Sequence, residues 1–402
     1  MEPTGLSTSR TPSGKPDMGI AASTSTIDGS WTGSFDRLET PVPLVDLERL
    51  ERNLDRMASY TRSHALALRP HSKTHKSPRI GAEQVRRGAV GLTCATPLEL
   101  EVMAEVCDDL LLAYPPVGTS KLRRLMSLRD TVRLTVALDS VESADQLGRA
   151  AAEAGRSVGV LVEIDVGLHR VGVQPLEEML KLVRRVADQS FLEYRGIAFY
   201  PGHIRGGPTV QEDLSRLGAQ LQVVLRALDK AGLHPEVVSG GSTPTVWHSH
   251  LLEGVTEIRP GTYVYNDRTT VQTGACGWED CALTVLATVI SRAVPGQAVI
   301  DAGSKALGRE PMRGTAGEGF GVVMDRPDVV VSRMSEEHGI LDLSKSDFNP
   351  QVGDQVRIIP KHVCIVVHLN DVIYGVRDSI VETSWMVSAR GRVETETGVE
   401  YY

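Results

Sequence analysis

The stretch Leu66-Ala67-Leu68-Arg69-Pro70-His71-Ser72-Lys73-Thr74-His75-Lys76 decides how the rest of the chain is read. A short apolar run ends at an arginine and a proline, and an amphipathic stretch follows over residues 77–88. Lys73 therefore sits where a strand has ended and a helix has not begun. Closed barrels of parallel strands keep their chemistry at that junction.

Outward from this point, strand-like and helix-like stretches alternate from about residue 40 to 267. Strands are expected at 66–70, 90–95, 109–114, 133–138, 159–165, 194–200, 236–240 and 256–263. Helical patterns lie between them, as at 47–64, 97–106, 143–155 and 212–232. The last carries Leu214, Leu217, Leu221, Val224 and Leu228 at close to helical spacing. Eight strands separated by helices predict a (β/α)8 TIM-type barrel. A doubly wound open sheet is the alternative, but no GxGxxG opens the first unit. From about residue 276 the texture changes to short β-branched runs at 283–290, 298–300, 329–331, 355–359, 363–369 and 371–376. Turn residues separate them, which predicts a C-terminal all-β domain. The expected organisation is a disordered tail over 1–38, rich in Ser, Thr, Gly and Pro, a barrel over 39–270 and a β domain over 271–402.

Composition narrows the function classes. The chain has 402 residues and 41% apolar residues, enough for a large core. A net charge of −8 with mixed signs argues against a nucleic-acid partner. No run approaches the roughly 18 apolar residues of a membrane span, and the N-terminus lacks the pattern of a secretory signal. Five scattered cysteines in no zinc-finger spacing fit reduced thiols in a cytoplasm.

Five barrel segments carry candidate chemistry, and all fall at expected strand ends. Lys73 follows the first strand, with His71 beside it. Glu163-Ile164-Asp165-Val166-Gly167-Leu168-His169-Arg170 follows the fifth, and its glycine allows a tight turn. Tyr200-Pro201-Gly202-His203 follows the sixth, where His203 could act as acid or base. Ser239-Gly240-Gly241-Ser242-Thr243 follows the seventh. Its small residues allow backbone amides to face an anion, in the region where barrels bind phosphate. Arg259-Pro260-Gly261-Thr262-Tyr263-Val264-Tyr265 closes the eighth. One ligand can touch all five only in a closed barrel, which implies a phosphorylated cofactor with a lysine partner at its mouth. In the β domain, His362 and Cys364 would share one face of a strand, with Cα atoms ~6.6 Å apart. Imidazole and thiolate together suit Zn²⁺.

From about Thr40 to the C-terminus these motifs resemble the D-threonine aldolase and D-serine dehydratase family, whose barrel is related to alanine racemase. The resemblance implies pyridoxal 5'-phosphate, with Lys73 forming the Schiff base and His71 among the cofactor contacts. It further implies that Arg170 meets the ring hydroxyl, Tyr200 lies beside the ring, and Gly240, Gly241, Ser242, Thr243 and Tyr265 hold the phosphate. A His-x-Cys or His-x-Asp pair binds a divalent metal in that family, here His362 and Cys364, with zinc first and manganese or magnesium as alternatives. Lys361, Ile365 and His368 depart from the family pattern around that pair. The substrate class is a D-3-hydroxy amino acid, and the assembly is a homodimer. The aldolase pattern places Gln-His after the tyrosine, where this chain has Ile204-Arg205-Gly206. That departure favours elimination to a 2-oxo acid and ammonia over cleavage to glycine and an aldehyde. Racemisation and cofactor carriage without catalysis are the remaining readings.

Overall fold

The structure is a computed structural model, described here for Met1 and residues 33–207, 209–310 and 319–391. The segment expected to be a disordered tail lies, over residues 2–32, outside the described residues.

Eight parallel strands form the first body: β1 (Ala67–Leu68), β2 (Leu92–Cys94), β3 (Asp109–Leu112), β4 (Arg133–Leu138), β5 (Val158–Ile164), β6 (Leu192–Phe199), β7 (Val237–Gly240) and β8 (Glu257–Ile258). Each pairs with its successor from β2 onward, and β8 pairs with β1. The remaining gap is closed by the amide of Thr93 donating to the carbonyl of Pro70 at 2.9 Å and by a parallel bridge between His71 and Thr93. The barrel is thus closed, as its eight-fold strand–helix alternation predicts. Outward residues of its strands pack against the helices in one apolar core, to which the helix Val210–Lys230 brings Leu214, Leu217, Leu221, Val224 and Leu228. Inside the barrel, Leu111, Ala137, Leu161 and Ala198 form a small apolar cluster. Charged residues also line the interior. The Arg69 guanidinium bonds Glu257 and Asp109 at 2.7 Å each, and Ser239 donates to Glu257 at 2.6 Å.

The second body is antiparallel. It contains β9 (Leu283–Ser291), β10 (Gln297–Ile300), β11 (Gly321–Val323), β12 (Arg326–Met334), β13 (Gly339–Asp342) and β14 (Gln355–Pro360). β9 pairs with both β10 and β14, so these six strands close into a small barrel. The hairpin β15 (Val372–Arg377) and β16 (Ile380–Met386) completes the domain. The segment Val42–Asp46 precedes the first helix, yet it pairs with β9 and β15 rather than with the parallel barrel. A strand from each side of the parallel barrel therefore meets in one sheet.

One expected strand is a helix. Residues 363–369 form the helix Val363–Leu369, with His362 as its extended N-cap. Val363, Val366 and Val367 are its buried residues. Their spacing of three and four is helical, whereas a strand would have buried Val363, Ile365 and Val367. Among the described residues, no helix is long and apolar enough to cross a membrane.

Candidate active site

β1 ends at Leu68, although Arg69 and His71 still donate to the carbonyls of Ile258 and Pro260 at 3.0 Å each. The chain turns through a short 3-10 helix, Ser72–Thr74, that carries Lys73. His71 caps it, with Nδ1 accepting from the Lys73 amide at 3.5 Å. Lys73 faces a cavity of about 450 Å³ at the C-terminal mouth of the barrel. Its Nζ lies 5.9 Å from the centre of the Tyr200 ring, and the Arg170 guanidinium lies 4.8 Å from the same centre. Lys76, three residues further on, is engaged elsewhere: its ammonium bonds buried Glu99 at 2.6 Å and the carbonyl of Ala389 at 3.4 Å.

The loop bearing Arg170 is wired to one carboxylate. Asp165 accepts from the amides of Gly167 and His169 at 3.0 Å each, and from Gln174 at 2.7 Å. Burial would raise its pKa, but these amides and the His169 ring hold it below the ordinary value. Arg259 also lines the cavity. It is 8% exposed, and one nitrogen donates to the carbonyl of Phe199 at 3.0 Å, while Nη1 is buried without a partner among the described residues.

After β7, Gly241 adopts φ +91°, a conformation that side chains disfavour, and Ser242 and Thr243 begin the 3-10 helix Thr243–Leu251. No side chain caps that helix, and the Ser242 hydroxyl is paired with Thr245 Oγ1 at 3.1 Å. Gly241, Ser242 and Thr243 all line the cavity.

Three of the expected barrel site residues lie outside the cavity wall. Gly240 faces outward, and a Cβ there would stand 2.2 Å from the Phe199 ring. Its glycine serves packing between sheet and helices. Gly240→Ala is expected to lower stability by about 1–3 kcal/mol in chemical denaturation. Tyr265 is 0% exposed and packs in the apolar core shared by both bodies, because the turn Thr262–Val264 carries it inward. His203 is exposed, with its ring against Gly167, since Gly202 and His203 turn away at the rim. Tyr263, in the same motif, is buried and accepts from Gln84 at 3.0 Å.

His362 and Cys364 come together, though through a helix N-terminus rather than a strand face. Cys364 Sγ lies 3.4 Å from Thr74 Oγ1, next to Lys73 in sequence. His362 Nδ1 lies 3.0 Å from Asp267 Oδ2, which also accepts the Val363 amide at 3.1 Å. Asp267 is fully buried. The neighbouring Cys364 raises the His362 imidazole to about 11, against the cost of burial. Burial would raise the Cys364 thiol, but His362 holds it below its ordinary value. A carboxylate on one imidazole nitrogen leaves Nε2 for a metal, an arrangement typical of metal-bound histidine. Among the described residues, no group of three or more such ligands forms.

Two histidines, buried His75 and half-buried His71, set an acid limit. Burial pushes His75 from 6.5 to about 4, and burial beside Lys73, Arg259 and Lys76 pushes His71 down in the same direction. The unfolded chain takes up these protons near 6.5 and the folded chain does not. Stability is therefore full above pH 6.5 and falls as pH drops toward 4, by up to about 1.4 kcal/mol per pH unit for each histidine. Denaturation from pH 7 to 4 should show this limb, and His75→Gln should flatten it.

Glu163 and Arg259 stand within the quoted motifs without a role, and Asp267 lies two residues beyond the last of them. The signal that could have found them is their place one or more residues past an inward-facing strand position.

A parallel barrel with its lysine after the first strand, joined to a small antiparallel barrel, defines an alanine racemase-type enzyme fold. The alanine racemase N-terminal domain matches residues 45–269, and the putative serine dehydratase domain matches residues 282–376. The D-threo-3-hydroxyaspartate dehydratase of Delftia sp. is 35% identical over 348 residues, covering 81% of this chain and 91% of that protein. The crystal structure of the D-threonine aldolase from Filomicrobium marinum aligns with a TM-score of 0.82 at 33% identity, over 88% of this chain and 96% of that one. A cysteine-to-alanine mutant of D-threo-3-hydroxyaspartate dehydratase in the metal-free form aligns at 0.80 and 31% identity, over 88% and 98%. A histidine-to-alanine mutant of that dehydratase is mutated two positions earlier. The chain belongs to this family of D-threonine aldolases and D-serine and D-3-hydroxyaspartate dehydratases.

Proposed function

We propose that the protein is a lyase dependent on pyridoxal 5'-phosphate and a divalent metal, which dehydrates D-3-hydroxy amino acids to a 2-oxo acid and ammonia. The observation that carries this is Lys73 in a cavity shared with Tyr200, Arg170, Arg259 and the Gly241–Ser242–Thr243 turn, with Cys364 touching Thr74 beside that lysine.

The residues present fit the cofactor. A buried guanidinium nitrogen without a partner, a turn at positive φ and an amine beside an aromatic face match a ring, a phosphate and an aldehyde. Bound pyridoxal phosphate supplies an aldehyde for a lysine amine and a ring that accepts electrons released at Cα. Lys73 would hold that group, and its amine is the base placed to take the Cα proton. Gly241, Ser242 and Thr243 would hold the phosphate, as small residues with backbone amides at a turn can. Arg170, in the cavity wall over the Tyr200 ring, would meet the cofactor's ring hydroxyl, and the hydrogen bonds of its loop to Asp165 fix its direction. His362 and Cys364 would hold the metal, which supplies Lewis acidity toward the β-hydroxyl. Asp267 keeps the imidazole oriented for that bond.

Aldol cleavage is the second reading, favoured by the similarity to the D-threonine aldolase fold. The His-x-Cys spacing, shared with the paired mutated positions of the dehydratase, favours elimination. We also place the protein in the cytoplasm as a homodimer, with zinc as the metal; the five unpaired cysteines support the first of these. The test is D-serine turnover: ammonia and pyruvate should form, chelation should abolish the reaction, and Zn²⁺ or Mn²⁺ should restore it. Turnover that survives exhaustive chelation would contradict the metal's part.

A further inference from the structure

Inward positions on β5 recur every second residue. Leu161 points into the barrel with Leu111, Ala137 and Ala198, while Val160, Val162 and Ile164 face the helices. Glu163 therefore also points inward, one step nearer the mouth. It lines the cavity and is only 5% exposed. Arg259 follows Glu257 on the same inward face, past the end of β8, and lines the cavity too.

Among the described residues of the lining, Lys73, Arg170 and Arg259 are cations, and Glu163 is the single carboxylate. Burial raises the Glu163 carboxyl and lowers the Arg259 guanidinium; the charges that most oppose this are Arg259 and Arg170 for Glu163, and Glu163 for Arg259. A buried guanidinium with an unpaired nitrogen is costly unless an anion stands near.

We infer that Glu163 is a positioning residue, whose carboxylate holds the Arg259 and Arg170 guanidiniums in the wall and trims the wall's charge. Three cations less one carboxylate leave two, which suits the charge of about −2 on a bound phosphate. This rests on the cofactor reading above. Its consequence is electrostatic. In a site with little water, removing the carboxylate raises the positive potential over the whole cavity and makes any bound base harder to protonate.

The experiment is a pH titration of the visible absorbance band of the bound cofactor in the holoenzyme. E163Q keeps the shape and removes the charge, and should move the midpoint down by at least about one pH unit. E163D keeps the charge but withdraws it by one methylene, and should fall between E163Q and the wild type. A role in packing alone would lower the melting temperature and leave both midpoints in place, which overturns the inference. Should E163Q fail to fold, an unchanged midpoint in E163D overturns it equally. Cofactor absorbance missing from the wild type would defeat the cofactor reading itself, whereas normal wild-type absorbance with unmoved variants defeats only the role of Glu163.

Discussion

Lys73→Ala will lose both its cofactor absorbance and its turnover, with kcat lowered at least about 10³-fold. Lys73 is the only lysine among the described residues lining the cavity. No neighbouring amine can replace it, because Lys76 is committed to Glu99 at 2.6 Å. The contrast is itself a test. Lys76→Ala would leave Glu99, 1% exposed in its side chain, buried without its cation. Such losses cost about 3–5 kcal/mol, so this variant should fail in stability rather than in chemistry. Spectra, melting curves and kcat measured on both variants separate the two lysines. A Lys73→Ala protein that still turns over would remove the basis of the whole assignment.

Cys364→Ala and His362→Ala should each reduce kcat on the order of 10²–10³-fold while the protein keeps its cofactor absorbance. The reason is spatial: Cys364 touches the Lys73 turn at Thr74, yet neither His362 nor Cys364 is among the residues lining the cofactor cavity. Removing either side chain leaves the lysine and the phosphate turn intact. Asp267→Asn acts one step further out. It replaces the acceptor of His362 Nδ1 and should weaken metal affinity about 10–100-fold, read by competition with a chelator. A normal metal content in Cys364→Ala would show that the pair is structural.

Much of this arrangement was legible in the chain. Strand–helix alternation located all eight barrel strands, and 133–138 came out with the same bounds. Chain order then placed Lys73, Arg170, Tyr200 and the Gly241–Thr243 turn around one cavity. What was not legible depended on which way a side chain faces. Gly240 and Gly241 are adjacent, yet one packs under Phe199 and the other lines the cavity. Tyr265 sits in a motif that ends the barrel, but a single 3-10 turn carries it into the second core. Residues 363–369 read as a strand because β-branched residues dominate, while the burial of Val363, Val366 and Val367 follows a helix. Val42–Asp46 could not be assigned to the β domain, since its partners lie more than two hundred residues away. Glu163 and Arg259 passed as ordinary strand-end charges because their significance comes from facing one another's cavity.

The central claim is tested most directly by the products formed from D-threonine. Purified holoenzyme with pyridoxal phosphate and Zn²⁺ or Mn²⁺ is given D-threonine, and the mixture is analysed by mass spectrometry. Elimination yields 2-oxobutyrate and ammonia, and this is the expected result. Glycine and acetaldehyde in their place would contradict it and assign the chain to the aldolases.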